Sequence, residues 1–77
     1  MLEPSLEELL ANTLSVPLPE ISEQSSMDNT AGWDSLRHMM LMGELESCYR
    51  IRLSDNERIA ATSIAQIRAI LGKRGLG

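Results

Sequence analysis

Three times in 77 residues a serine is followed, three positions later, by a glutamate or glutamine: Ser5/Glu8, Ser54/Glu57 and Ser63/Gln66. In such a capping box the hydroxyl accepts from the backbone N–H three residues on. The longer side chain reaches back to the serine amide, so two donors orphaned at a helix start are satisfied together. Behind the first box, which Pro4 precedes, Leu6, Leu9, Leu10 and Leu14 recur at three- and four-residue steps, a single apolar stripe of helical period. Behind the third, Ile64, Ile67, Ile70 and Leu71 repeat the pattern. The stretch "SDNERIAA" reads as a short helix of its own. Pro17 and Pro19 halt the first helix. Gly72 or Gly75 ends the last, with Lys73 and Arg74 suited to its C-terminal dipole. No segment alternates with period two, so the chain is expected to be all-α.

A fourth helix is expected from Ser35 to Tyr49, and it differs from the others. Position 38 is histidine, so Ser35 has no reciprocal partner. Asp34 can cap in its place and leave the Ser35 hydroxyl free. On a helical wheel His38, Leu41, Met42, Leu45 and Tyr49 share the core face. Arg37, Glu44 and Ser47 suit solvent. Leu36, Met39, Met40 and Gly43 are left on a further face directly after Ser35. One stripe is enough for a surface helix, so this second apolar face marks either a central helix packed on two sides or a docking surface. Gly43, costly by about 1 kcal/mol in mid-helix, permits close approach of another backbone.

Between the first two helices lies a long loop, about residues 15–34, with two prolines and the polar run "SEQSSMDNT". Ile21, Met27 and Trp33 are placed to pin it to the core. Residues 24–30 have little apolar area to bury and are expected to be mobile.

Composition narrows the function classes. There is no Phe, one Trp and one Tyr, so Leu, Ile, Met and Val must fill a small, soft core. One cysteine, Cys48, excludes an internal disulfide and is expected to flank the core; with His38 as the only histidine, no metal-ligand cluster can form. No apolar run is long enough to span a membrane, and no signal peptide is visible. The expectation is a single domain over residues 1–77: a cytoplasmic, monomeric protein, with Met1 close to the first helix and no catalytic residues. Residues 1–34 hold seven acids and no Lys or Arg; residues 35–77 hold seven bases and four acids, a local +3, within a net charge of −4. An acidic chain of this kind is not a nucleic-acid binder.

The "DSL" at 34–36, opening a second helix after a first amphipathic helix and a long loop, resembles the acyl carrier protein family. The short helix at 54–60 and the last helix after "ATSI" extend the likeness from about Leu6 to Leu71. The resemblance implies a four-helix, acyl-carrier-like bundle with three main helices, one short helix and the long loop between helices one and two. It also implies that Ser35, flanked by Asp34 and Leu36, carries a covalent 4'-phosphopantetheine arm taken from coenzyme A by a phosphopantetheinyl transferase. Acyl or aminoacyl groups would ride on the arm as thioesters. Enzymes that load and transfer them would dock on Leu36, Met39, Met40 and Gly43. Where the family's second helix is usually acidic, Arg37, His38 and Met40 stand here. That departure points away from a fatty acid synthase and toward a stand-alone carrier in a bacterial secondary-metabolite or surface-polymer pathway.

Two other readings compete. Asp34, Ser35 and His38 suggest a hydrolytic triad, but a small helical bundle offers little room for an oxyanion hole and substrate pocket. An unmodified interaction module docking through helix two shares the apolar face but has no use for Ser35.

Overall fold

The structure, a computed structural model, describes residues 5–76. Met1 and Pro4, which precede the first helix in the sequence reading, lie outside the described residues. Four helices follow in order: α1 (Leu6–Leu14), α2 (Ser35–Tyr49), α3 (Asp55–Ala60) and α4 (Ile64–Lys73), with one 3-10 turn at Leu18–Glu20. The described residues form an all-α bundle, as the helix signals predict, with the three main helices, one short helix and long first loop that the resemblance implies.

The helix starts show how local chemistry sets these boundaries. At α1 the Ser5 amide donates to Glu8 Oε1 (2.9 Å) and the Glu8 amide to Ser5 Oγ (3.1 Å), a complete box. Ser54 and Glu57 repeat it at α3 with the same two distances, 2.9 and 3.1 Å. At α4 the expected box is only half built. The Gln66 amide donates to Ser63 Oγ (3.2 Å), but Gln66 Oε1 accepts from the Thr62 amide (3.3 Å) instead of the Ser63 amide. Here the chain is extended and Ser63 is bridged to Ser26 of the loop, so the glutamine turns to the residue before.

The ends differ as well. α4 closes with Gly75 at φ 75°, its amide donating to the Gly72 carbonyl and that of Leu76 to the Leu71 carbonyl. This is the left-handed glycine stop, and Gly72 stays inside the helix. α1 and α2 end on Ser15 (φ 57°) and Arg50 (φ 55°), left-handed without a glycine.

The stripes read from the sequence form the core. α1 buries Leu6, Leu9, Leu10 and Leu14 together with Ala11; α2 buries Leu41, Met42 and Leu45; α4 buries Ile64, Ile67 and Leu71. Ile70, expected inward, is only partly buried against that cluster, as are Cys48 and Tyr49. α3 buries none of its six residues. It spans the bundle between two buried anchors, Leu53 and Ala61.

The loop makes contacts that its polarity does not advertise. Ile21 and Trp33 are buried, as expected, and so is Ser25. Hydrogen bonds run through the stretch 24–30, which the sequence reading expects to be mobile. Asn29 accepts from the Ser26 amide through Oδ1 and donates to the Gln24 carbonyl through Nδ2, each at 2.9 Å. The Met27 amide reaches the Thr62 carbonyl (2.9 Å), and the Ile64 amide the Ser25 carbonyl (3.0 Å). Arg68 of α4 forks onto the Glu23 carboxylate at 2.8 Å and also pairs with Glu7 of α1. The basic second half of the chain thus grips the acidic first half. Beside this guanidinium the Glu23 carboxyl is held below its usual range.

Candidate functional site

The start of α2 is built around a cap that is not serine. Asp34, in extended conformation, accepts from the Arg37 amide through Oδ1 (2.8 Å), and its carbonyl accepts from the His38 amide (2.8 Å). Ser35 follows as the first helical residue. Its side chain is exposed, and its hydroxyl makes no hydrogen bond among the described residues. The three other helices each use a serine hydroxyl for their own cap.

The approach to this cap is fixed from both sides. Gly32 has φ 89°, and a Cβ there would stand 2.8 Å from the Leu14 carbonyl oxygen. Only glycine fits that crossing over the end of α1. Trp33, next in line, is 3% exposed. It anchors the loop in the core.

The Trp33 indole Nε1–H donates to His38 Nδ1 at 3.0 Å, and the two rings lie 6.2 Å apart at 25°. Nδ1 accepts only while it carries no proton, so in this arrangement the ring proton sits on Nε2 and is donated to the Arg58 carbonyl, 2.7 Å away. Both ring nitrogens are thus engaged, and neither is available to Ser35 as a base. The triad reading fails on this geometry.

The exposed face after Ser35 is apolar. Leu36 is 70% exposed, Met39 63% and Met40 51%. Gly43 is exposed too, with nothing within 4 Å of where its Cβ would stand, so no backbone within the described residues approaches it. The wheel placed these four residues together, and the structure leaves all four in solvent.

Arg37 is a correction. Expected in solvent, it is half-buried, because its guanidinium reaches back to the Leu14 carbonyl at the end of α1 (2.9 Å). A carbonyl orphaned at a helix end is a strong acceptor for it. The cation two residues from Ser35 is thereby drawn away from the apolar face.

Ile59 of α3 was missed. At 73% exposure it is the most exposed large apolar side chain described. Its signal in the sequence is an isoleucine in "DNERIA" that belongs to no stripe. Arg58 beside it pairs with Glu46 (3.0 Å), which also accepts from the Leu53 amide (2.8 Å). That amide first, then the arginine, holds the Glu46 carboxyl below its usual range.

Among the described residues no cluster of His, Cys, Asp and Glu could hold a metal ion, and no helix is long and apolar enough to cross a membrane. What the site offers is one exposed hydroxyl on a helix start, a cap already filled, and an apolar apron beside it. The family model described as "Phosphopantetheine attachment site" matches residues 4–71 of the chain. No curated protein matches it.

Proposed function

The chain belongs to the phosphopantetheine attachment site family and so is a phosphopantetheine-carrying protein; from that premise we propose that Ser35 is its attachment residue. The observation that carries this is the exposed, unbonded Ser35 hydroxyl beside a cap that Asp34 already fills. Modification removes no hydrogen bond from the fold. The first-turn amides of a helix have no intrahelical acceptors, and the positive end of its dipole favours an anion, so this position suits a phosphodiester.

In the transfer, Ser35 Oγ bonds to the phosphorus on the pantetheine side of coenzyme A. The pyrophosphate linkage breaks, adenosine 3',5'-bisphosphate leaves, and the hydroxyl proton passes to a base on the transferase. The attached arm supplies a terminal thiol for carrying acyl or aminoacyl groups as thioesters. Tethering keeps such a group at high local concentration for each enzyme that docks.

Leu36, Met39, Met40 and Gly43 form the proposed docking face for the transferase and for the loading and transferring enzymes. Exposed methionines adapt to several partners. With Arg37 folded back onto α1, this face is apolar, which favours partners other than the basic enzymes of fatty acid synthesis. The proposed role is that of a stand-alone monomeric carrier in the cytoplasm, serving a bacterial secondary-metabolite or surface-polymer pathway.

The test is intact-mass measurement after incubation with coenzyme A, Mg²⁺ and a broad-specificity transferase. Wild type is expected to gain one phosphopantetheine and Ser35→Ala none. A wild type left unmodified by a competent transferase contradicts the proposal and favours an unmodified interaction module. A modified Ser35→Ala moves the attachment elsewhere.

A further inference from the structure

α3 poses a physical problem. It is six residues long and buries none of them. Its internal propensity is far too weak to form it alone, since isolated helices of this length do not form in water. Beyond the anchors at Leu53 and Ala61, polar contacts hold it. Arg74 of α4 forks onto Glu57 at 2.8 and 2.9 Å. Glu46, in the last part of α2, takes Arg58 at 3.0 Å. The remaining contact comes from the opposite end of α2, where His38 Nε2 donates to the Arg58 carbonyl at 2.7 Å.

His38 lies three residues after Ser35, on the neighbouring turn of the same side of the helix. Its other ring nitrogen is held by the buried Trp33 indole. A histidine with one nitrogen fixed as acceptor has its ring plane and its remaining donor fixed as well. The indole therefore aims Nε2 at α3. The chain of contacts runs from the residue before the cap, across the first turn that bears Ser35, into the main chain of α3 at the residue before Ile59. The residue that follows Arg58 in α3 is the 73%-exposed Ile59.

We infer that His38 is a positioning residue for the modification of Ser35, tying α3 to the first turn of α2 at Arg58 so that the neighbouring Ile59 is held in place for the transferase. This rests on the reading of Ser35 as the attachment residue. His38 touches neither the hydroxyl nor the incoming phosphorus. It acts through α3, so its loss weakens recognition of the carrier and leaves the chemical step intact, a rise in KM with kcat unchanged.

The experiment measures transferase kinetics with the unmodified full chain as the varied substrate, and amide exchange over 58–61 in parallel. His38→Leu removes both hydrogen bonds and keeps apolar bulk. It is expected to raise KM about 10-fold at near-constant kcat and to speed exchange in α3. His38→Gln offers an acceptor for the indole and a donor for the Arg58 carbonyl. It is expected to restore both readouts to within about twofold of wild type. His38→Asn, too short to span the two partners, carries the same expectation as leucine should the leucine variant fail to fold. Ile59→Ser is expected to raise KM similarly. If His38 acts by placing Ile59, the double variant His38→Leu/Ile59→Ser is no worse than either single one. Additive losses, a glutamine variant as impaired as leucine, or an unchanged KM alongside faster α3 exchange each overturn the inference while leaving Ser35 as the attachment residue. A wild type that gains no phosphopantetheine removes the reading of Ser35, and the inference with it.

Discussion

α2 and α4 begin with serines and are both rich in apolar residues, yet they use these residues in opposite ways. At α4 the Ser63 hydroxyl is the cap, accepting from the Gln66 amide. Ile64, Ile67 and Leu71 go into the core, and none of the exposed large apolar side chains described lies on this helix. At α2 an aspartate takes the capping role, the serine hydroxyl beside it makes no hydrogen bond among the described residues, and Leu36, Met39 and Met40 stand in water. Everything on α4 is explained by folding. On α2 a hydroxyl and three large apolar side chains are left over once folding is accounted for. Exposed apolar surface and a reactive group without an internal role are what a site for another molecule looks like from the standpoint of stability.

The contrast can be broken most strongly in the cores of the two helices. Ile67→Ala on α4 is expected to cost about 2–5 kcal/mol in urea unfolding, from lost burial and the cavity left behind. Met39→Ala on α2 is expected to stay within about 0.5 kcal/mol and to impair docking instead. A severe loss for Met39→Ala would place that side chain in the core and move the docking face.

The routes into the two helices differ too. α4 is reached through extended Ser63, α2 through left-handed Gly32 lodged against the Leu14 carbonyl. Gly32→Ala is expected to destabilise by about 1–3 kcal/mol, from the strained φ and the steric clash. Thermal unfolding with no loss of stability would show that the loop crosses α1 differently.

Acidification sharpens the role of polar contacts at α3. The Arg74 guanidinium, followed by the Ser54 amide, pulls the Glu57 carboxyl from its usual 4.5 down to about 2. A carboxylate depressed in the folded state adds stability that is fully present above its unfolded value and is lost as pH falls through the folded one. Its contribution therefore disappears between about pH 4.5 and pH 2. Glu57→Gln is expected to unfold more easily at neutral pH and to show a shallower decline over that range, read by circular dichroism. A decline as steep as wild type would assign the acid sensitivity to other carboxylates, with Glu23 and Glu46 next in line.

The smallest effect concerns Gly43. Among the described residues nothing beyond its own helix backbone and chain neighbours stands within 4 Å of its missing Cβ, so Gly43→Ala is expected to stabilise α2 by roughly 0.5–1 kcal/mol. Weaker transfer from this more stable variant would locate a partner at that position. Unchanged transfer would confine docking to the first turns.

The helices were legible in the sequence because their determinants are local. The boxes at Ser5/Glu8 and Ser54/Glu57, and the stripes of α1 and α4, are written within four residues of each other. The free Ser35 was legible for the same reason, from the histidine standing where a box needs Glu or Gln. The contacts that were not legible join residues far apart in the chain. Arg37 meets the Leu14 carbonyl, His38 the Arg58 carbonyl, Arg68 the pair Glu7 and Glu23, and Ser25 the start of α4. No periodicity encodes such pairs. A polar residue looks the same in sequence whether it faces water or an orphaned carbonyl across the fold. That is why the sequence reading puts Arg37 in solvent and does not foresee the hydrogen bonds of residues 24–30.

The central claim is that Ser35 is spared from folding and kept for chemistry, whereas Ser63 is used for folding. The direct measurement is a crossed comparison of Ser35→Ala and Ser63→Ala, each assayed by urea unfolding and by intact mass after transferase treatment. Ser63→Ala is expected to lose about 0.5–2 kcal/mol, the usual cost of a missing cap, and to gain one phosphopantetheine like wild type. Ser35→Ala is expected to unfold within about 0.5 kcal/mol of wild type and to gain none. A Ser35→Ala protein that loses stability as a cap mutant does, or that is still modified, would contradict the account.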